Sequence, residues 1–345
     1  MDNQRGILFT GNIGLGSADA VFNALGEIVG ARAKRYPDGE TGNRNYWIRW
    51  LDETFAAHPQ IRVSDASKKL EGFKDNVERA FYVPGDDVSV AELDLGRFGY
   101  AREALSSYAK FKALRDAGTI PQATRFQVSI PTATAVLSGF IEMEARQILE
   151  AAVEAALAGE VADIAAAIPP DDLAIQFDVC YEVVGHDGGP PLHYADALEG
   201  SVTRVCRHLG YVPDGIEAGI HLCYGDPGHQ HIVEPQDLGT SVAFANGICA
   251  GAPRGVGWMH MAVPRGRADE AYFAPLDGLV LSPGTELYLG LVHHGDGALG
   301  TKARIAVAEK FIQEFGVATE CGFGRRPADT IPELLRIHAE AADGG

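Results

Sequence analysis

The sequence predicts an α/β protein built as a single (β/α)8 (TIM) barrel. Short apolar runs alternate with longer helical segments along almost the whole chain, about eight such runs occur, and several of them end in polar residues. The length of 345 residues suits one barrel with an insertion, since barrels of this kind take about 250 residues and grow by loop extension. We therefore expect residues 1–345 to form one catalytic domain.

The expected strands are the short apolar runs at 7–9, 33–35, 126–130, 174–178, 218–223, 257–261, 287–292 and 317–321. The expected helices are 18–29, 101–117, 143–167, 194–209, 298–315 and 331–341. The clearest helix is 143–167, because it is rich in Ala, Glu and Leu and is followed by two prolines. Residues 56–94 are polar and poorly periodic, so we predict an insertion or lid after the second strand.

Composition excludes several function classes. The net charge is −18, with 47 acidic and 29 basic residues and no run rich in Lys or Arg, so nucleic-acid binding is not expected. No stretch approaches the roughly 18 apolar residues of a membrane helix, and residues 1–5 do not resemble a secretion signal. These features predict a cytoplasmic protein with no membrane partner. Five widely spaced cysteines argue against a disulfide framework.

Two cysteines and a histidine form a candidate metal site. His221 and Cys223 stand two apart on one expected strand, so their side chains share a face. Cys321 ends another expected strand near the C-terminus. One imidazole and two thiolates at strand ends suit zinc with a fourth position left for substrate. The alternative is two buried thiols and an unrelated histidine.

Other polar residues also follow expected strands, on the edge of a barrel where active sites lie. Asp178 either orients a substrate or caps a loop, and Glu182, four residues later, either supports it or faces solvent. Asp38 and Glu40 lie in a proline-initiated turn that also falls on this edge. Strand alternation sends only one of two adjacent histidines inward, and we select His293, whose imidazole titrates near neutral pH.

Together these residues resemble the catalytic barrel of cobalamin-independent methionine synthase. The likeness rests on the His221–Cys223 pair, on Cys321 followed by glycine and then basic residues, and on Asp178 ending Ala-Ile-Gln-Phe-Asp. Wider relatives are zinc methyltransferases that alkylate coenzyme M and the uroporphyrinogen decarboxylase superfamily. Residues 128–140 resemble the strand, loop and helix near the substrate in this family, which brings Ser129 into the substrate site.

The resemblance implies a role for each candidate. His221, Cys223 and Cys321 would bind Zn²⁺, Asp178 would contact the polar end of a thiol substrate, and His293 would donate a proton or polarise the leaving group. In methionine synthase a glutamate zinc ligand lies on the strand after the His-x-Cys strand. Residues 241–246, which we assign to that strand, contain no carboxylate. The expected ligand set is therefore closer to the His-Cys-Cys pattern of the coenzyme M enzymes.

The expected function is zinc-dependent transfer of an alkyl (methyl) group to or from a small-molecule thiol. The alkyl donor would be a second small molecule, or a folate or corrinoid supplied separately. Two alternatives stay open. One is a zinc-dependent lyase that cleaves a C–C or C–S bond on the same barrel, and the other is a metal-free, decarboxylase-like or small-molecule-binding barrel with the cysteines in its core.

Overall fold

The computed structural model describes residues 4–65, 80–227 and 230–343. Its strands are β1 (Arg35–Pro37), β2 (Ile61–Val63), β3 (Tyr82–Pro84), β4 (Arg125–Pro131), β5 (Leu173–Val179), β6 (Glu217–Leu222), β7 (Trp258–Ala262), β8 (Glu286–Val292) and β9 (Gly316–Thr319). Seven of them form one curled parallel sheet in the order β1-β4-β5-β6-β7-β8-β9. The α/β class and the parallel sheet are therefore confirmed.

Helices follow the strands of this sheet, as the alternation in the sequence predicts. They are α1 (Ala18–Ile28), α2 (Leu51–Ala56), α3 (Tyr100–Asp116), α4 (Ala133–Phe140), α5 (Met143–Ala167), α6 (Tyr181–His186), α7 (Ala197–Leu209), α8 (Gly239–Gly251), α9 (Glu270–Phe273), α10 (Gly297–Ala308) and α11 (Ile331–Ala342). The boundaries of α5 are those expected from its composition. Every residue of β5 and β7 is buried, which explains their continuous apolar character.

The first expected strand, 7–9, forms isolated bridges and no regular strand. Ile7 pairs in parallel with Ala33 and with Val317, which belongs to β9. The Ile7 amide donates to the carbonyl of Arg32 at 2.9 Å, and the Leu8 amide donates to Val317 at 3.0 Å. This segment therefore contacts both edges of the main sheet, next to β1 on one side and β9 on the other.

The placement of residues 241–246 on a strand is wrong. They lie in α8, where Ser241, Ala245 and Ile248 are buried at helical spacing. The strand that follows β6 is β7, which begins at Trp258. A short apolar run is compatible with a strand or with a buried helix. In this segment the buried residues recur at helical spacing over more than one turn, which indicates a helix.

The expected insertion carries an antiparallel pair, β2 and β3, outside the main sheet. The Phe55 ring packs against the rings of Tyr82 and Phe140, with centroids 5.6 and 5.3 Å apart, so this segment lies against the end of α4. Residues 66–79 of the expected lid lie outside the described residues. Within the described residues, no helix combines the length and apolarity needed to cross a bilayer. The cytoplasmic location stays a prediction.

A buried arginine joins the amino ends of four strands. Arg35, the first residue of β1, is 2% exposed. Its guanidinium donates to Glu217 Oε2 at 2.9 Å and to Glu286 Oε2 at 3.0 Å. It also lies over the Trp258 ring, 4.2 Å from the centroid. These partners begin β6, β8 and β7, so the cluster holds the sheet at the end opposite the polar strand ends.

We expect Arg35→Met to lower the free energy of unfolding by roughly 2–4 kcal/mol, since two carboxylates would lose their buried partner. Urea unfolding measures this change. The control is Lys34→Met, because Lys34 is 62% exposed and pairs with the same Glu286, and an exposed pair contributes about 1 kcal/mol or less. Equal losses of stability in the two variants would contradict the role of Arg35 as the buried partner of both carboxylates.

Candidate metal and substrate site

The three candidate metal ligands lie together at the carboxyl ends of the strands. His221 is in β6, Cys223 follows its last residue, and Cys321 lies two residues beyond β9. One ligand atom from each lies within 4.8 Å of the other two. The Cys223 thiol donates to Cys321 Sγ at an S–S separation of 3.8 Å. The parallel sheet has brought together residues that are distant in sequence.

The donor set fits zinc in both chemistry and spacing. Two sulfurs that each lie about 2.3 Å from a tetrahedral zinc are about 3.8 Å apart, which is the observed separation of the Cys223 and Cys321 sulfurs. The Gly225 amide donates to Cys223 Sγ at 3.3 Å, an interaction that stabilises a thiolate. The neighbouring Cys223 thiol and burial raise the pKa of Cys321 well above its ordinary value. A divalent cation reverses that effect by holding the sulfurs as thiolates.

A third thiol lies beside this trio. Cys180 follows β5, is 5% exposed and packs in one buried cluster with Cys223 and Val184. The nearby Cys180 thiol and burial raise the pKa of Cys223 well above its usual value. No role for Cys180 follows from the sequence. The structure places it on the wall of the same cavity.

His221 also contacts a histidine on the neighbouring strand. Its Nδ1 lies 2.7 Å from Nδ1 of His260, which is fully buried. The other ring nitrogen of His260, Nε2, lies 3.0 Å from the carbonyl oxygen of Thr319. Burial, together with His221, lowers the pKa of His260 well below its ordinary value, so its neutral form is favoured.

A cavity of about 200 Å³ opens from the two cysteines. Its wall contains Cys223 and Cys321 together with Glu40 and Asp178. Apolar and aromatic residues line much of the remainder, among them Ile48, Phe140, Ile232, Trp47 and Tyr181. The cavity therefore places a possible metal centre and two carboxylates around a space that fits a small molecule.

Two donors orient Asp178 in this wall. Gln176 Nε2 donates to Asp178 Oδ1 at 2.9 Å, and the Trp47 indole N–H donates to Oδ2 at 3.0 Å. Trp47 adopts φ +56° and ψ −122°, a backbone conformation that costs free energy in a residue with a side chain. Its indole stacks on the Tyr181 ring, with centroids 6.0 Å apart. Trp47 thus has a strained backbone, and its indole is held where it donates a hydrogen bond to the Asp178 carboxylate.

Asp178 and Glu40 form an electrostatically coupled pair. Burial raises the pKa of Asp178 to about 7, although the bonds from Gln176 and Trp47 oppose the shift. Burial and the nearby Asp178 raise the pKa of Glu40 well above its ordinary value. Like charges in a desolvated cavity resist simultaneous ionisation. The pair therefore retains a proton near neutral pH. A cationic ligand would stabilise the ionised form of both carboxylates.

Asp38 and Ser129 lie in a smaller recess that shares Glu40 and Asp178 with the main cavity. Asp38 accepts bonds from the Glu40 amide at 2.8 Å, from Arg44 at 2.7 Å and from the Ser107 hydroxyl at 2.6 Å. These bonds make it a support for the turn that presents Glu40. Ser129 Oγ accepts from Gln176 Nε2 at 3.3 Å, behind Asp178.

Glu182 and His293 are buried but are absent from the described residues that line the cavity. Burial raises the pKa of Glu182 to about 7, opposed by the hydroxyls of Thr132 and Thr134. Burial lowers the pKa of His293 to about 4. Its Nε2 lies 2.9 Å from the carbonyl of Val263, and its Nδ1 lies 3.6 Å from Glu320. At neutral pH His293 is thus uncharged and lies behind Glu320.

A second group with metal-ligand chemistry consists of Asp226, His231 and Glu320. His231 bonds to Glu234 at 2.5 Å and to Glu320 at 3.2 Å. Against the lowering effect of burial, these bonds raise the pKa of His231 to about 9. In the metal-free protein these contacts make the group an ion-pair network around His231.

Sequence reasoning missed Trp47, Gln176, Tyr181 and His260. Gln176 lies two residues before Asp178 and therefore on the same face of β5, so strand alternation could have found it. His260 is a polar residue within an apolar run, which is also a detectable signal. Trp47 and Tyr181 reach the site through an irregular segment and a helix start, for which local sequence offers no comparable signal.

Comparison with known proteins relates this chain to others by fold. No protein-family model and no curated protein matches it. It is similar to a candidate vitamin-B12-independent methionine synthase from Listeria monocytogenes, with a TM-score of 0.53 and 13% identity over 94% of this chain and 84% of that one. It is also similar to a B12-independent methionine synthase from Shewanella sp. W3-18-1, solved with selenomethionine, with a TM-score of 0.50 and 14% identity over 82% of this chain and 75% of that one. At this identity the likeness establishes a shared fold.

We expect Glu40→Gln to stabilise the protein at pH 8 by about 1–2 kcal/mol and to have little effect at pH 4. The raised pKa values mean that ionising Glu40 and Asp178 costs stability as the pH rises from about 4.5 through 7. The substitution removes one of the two charges. Unfolding curves at both pH values, with exposed Glu314→Gln as the control, measure the difference. An equal change at pH 4 and pH 8 would rule out the coupled pair.

Proposed function

We propose that this protein is a zinc-dependent enzyme that transfers an alkyl group, most simply methyl, to or from a small-molecule thiol. The observation that carries the proposal is the trio His221, Cys223 and Cys321, whose sulfurs have the spacing of zinc ligands at the wall of a cavity. The fold likeness to B12-independent methionine synthases supports the same conclusion.

The proposal includes a closed (β/α)8 barrel. Two isolated bridges support closure, because Ile7 pairs with Ala33, just before β1, and with Val317 of β9, so the 7–9 segment would take the eighth strand position. Closure would bring β1 and β9 next to the same segment. This agrees with the cavity lining, which contains both Glu40 and Cys321. An active site at the carboxyl ends of the strands is the usual arrangement in such barrels.

The protein would hold zinc through His221 Nε2 and the sulfurs of Cys223 and Cys321. Zinc bound there would keep a substrate thiol in its thiolate form at neutral pH. Three protein ligands leave a coordination position for that sulfur. The apolar side chains of Ile48, Phe140 and Ile232 line the same space and limit water near the reacting atoms. The residues thus supply a nucleophile site and exclude competing solvent.

The carboxylate pair would anchor the other end of the thiol. Asp178 and Glu40 lie in the same cavity as the two cysteines, and their raised pKa values show that ionised carboxylates there lack sufficient compensating charge. A cationic group on the substrate, such as an ammonium, would stabilise both. Asp38 and Ser129 support this end through bonds to the Glu40 amide and from Gln176.

We assign His293 an indirect role in the proposed reaction. With its pKa lowered to about 4, it is a poor proton donor at neutral pH. Its position behind Glu320, the residue before Cys321, suits an indirect role in polarising the site. Glu182 is buried away from the cavity wall and is assigned no contact with substrate. The alkyl donor, which would be a second small molecule or a separately supplied folate or corrinoid, belongs to the same proposal.

A lyase is the second candidate, and one observation favours it. A carboxyl group with a pKa of about 7, as burial gives Asp178, is suited to transferring protons at neutral pH. Cleavage of a C–C or C–S bond needs such a group, whereas alkyl transfer needs a stoichiometric acceptor. The two reactions therefore differ in whether one substrate alone turns over.

We expect purified protein to bind about one zinc per chain, and Cys223→Ser to weaken zinc binding at least tenfold, because the metal would lose one of three protein ligands. Elemental analysis and competition with a chromophoric chelator measure stoichiometry and affinity. Cys249→Ser is the control, since Cys249 lies in α8, outside the trio. A Cys223→Ser variant that binds zinc like the wild type would refute the metal assignment.

We expect zinc-loaded protein to consume an amino thiol only when a methyl donor is present, with one thioether formed per donor consumed. Mass spectrometry of the products measures this stoichiometry. Asp178→Asn should raise the KM for the thiol about tenfold or more, because the anchoring charge is lost. Thiol breakdown without any donor would instead establish the lyase.

A further inference from the structure

We infer that His260 is a positioning residue that fixes the tautomer of His221, so that Nε2 of His221 is the nitrogen presented to Cys223 and Cys321. The metal in this inference rests on the proposed function. The hydrogen-bond chain itself is a property of the metal-free protein. It gives His260 a role that strand position alone does not predict.

The two histidines are cross-strand neighbours. His221 on β6 and His260 on β7 are paired in the register of the parallel ladder. They are 3% and 0% exposed, respectively. Their Nδ1 atoms are 2.7 Å apart, and the ring centroids are 4.7 Å apart. Two ring nitrogens at that distance must share one proton in a hydrogen bond.

The donor in this hydrogen bond can be identified from the second hydrogen bond that His260 makes. His260 Nε2 lies 3.0 Å from the carbonyl oxygen of Thr319, and a carbonyl can only accept. His260 Nε2 therefore carries a proton. Complete burial disfavours a doubly protonated ring, so Nδ1 of His260 has the lone pair. His221 Nδ1 must then be the donor.

The consequence for His221 is a free lone pair on Nε2. Neutral imidazole carries one proton, and in His221 that proton is on Nδ1. Nε2 is then ready to bind a cation without moving a proton first. A hydrogen bond to the opposite ring nitrogen is how proteins orient metal-binding histidines and raise their basicity. Here the acceptor is a second histidine, itself fixed by a backbone carbonyl.

The same chain links two ligand-bearing strands. Thr319 is the last residue of β9 and lies two residues before Cys321. His260 therefore connects β6, which carries His221, to β9, the strand that ends two residues before Cys321. Gly290 of β8 makes this approach possible, because a Cβ there would lie 2.7 Å from the Glu320 Cα and 3.0 Å from the Thr319 oxygen. His260 thus positions the Cys321 segment as well as the His221 ring.

The test compares two substitutions of His260. His260→Asn keeps an acceptor near the position of Nδ1, whereas His260→Leu removes it. Long-range ¹H–¹⁵N NMR of histidine-labelled, metal-free protein reports the tautomer of His221 directly. Competition with a chromophoric chelator reports zinc affinity. The matched control is His338→Leu, because His338 is equally buried and has its Nδ1 2.8 Å from a helix carbonyl.

We expect wild-type His221 to be protonated at Nδ1, and His260→Leu to lose this preference and bind zinc about 10–100-fold more weakly. His260→Asn should restore most of the affinity, and His338→Leu should leave it unchanged. Wild-type His221 protonated at Nε2 would overturn the inference, as would a folded His260→Leu variant with wild-type affinity. The wild-type tautomer decides the question even if His260→Leu does not fold.

These results are separable from failure of the proposed function. A wild-type protein that binds no zinc but carries the Nδ1–H tautomer would refute zinc catalysis while supporting the His260 chain. A protein that binds zinc with the opposite tautomer would refute the His260 chain alone.

Discussion

The 3.8 Å contact between the sulfurs of Cys223 and Cys321 is the constraint on which the candidate site depends. The two residues are 98 positions apart and meet because β6 and β9 run parallel and end at the same edge of one sheet. Asp178 in β5 and the turn after β1, which contains Glu40, lie at the same edge. The cavity chemistry is thus a consequence of strand direction.

The two ends of the strands serve different purposes. At the amino ends, Arg35 is matched by Glu217 and Glu286, so the charges compensate one another and stabilise the sheet. At the carboxyl ends, Asp178 and Glu40 face a cavity with incomplete compensation, and their pKa values rise. Uncompensated charge of this kind costs stability and is typical of sites that bind a ligand.

The accuracy of sequence-based prediction varied with the range of the interactions involved. The boundaries of α5 followed from local composition, and most strand positions in the main sheet followed from apolar runs bounded by polar residues, although the expected strand 33–35 shares only Arg35 with β1. Residues 241–246 were misplaced because a short apolar run fits a strand or a buried helix equally well. The 7–9 segment was found, but its single bridges depend on both ends of the sheet and not on its own sequence.

The sequence by itself determined which side chains share a strand face, because alternation along a strand is a local property. It therefore paired His221 with Cys223. Tertiary structure alone decided what surrounds them: His260 from the next strand, and the Trp47 indole that reaches Asp178 across 131 residues. Such contacts depend on the packing of distant segments, and local periodicity carries no information about which of them will meet.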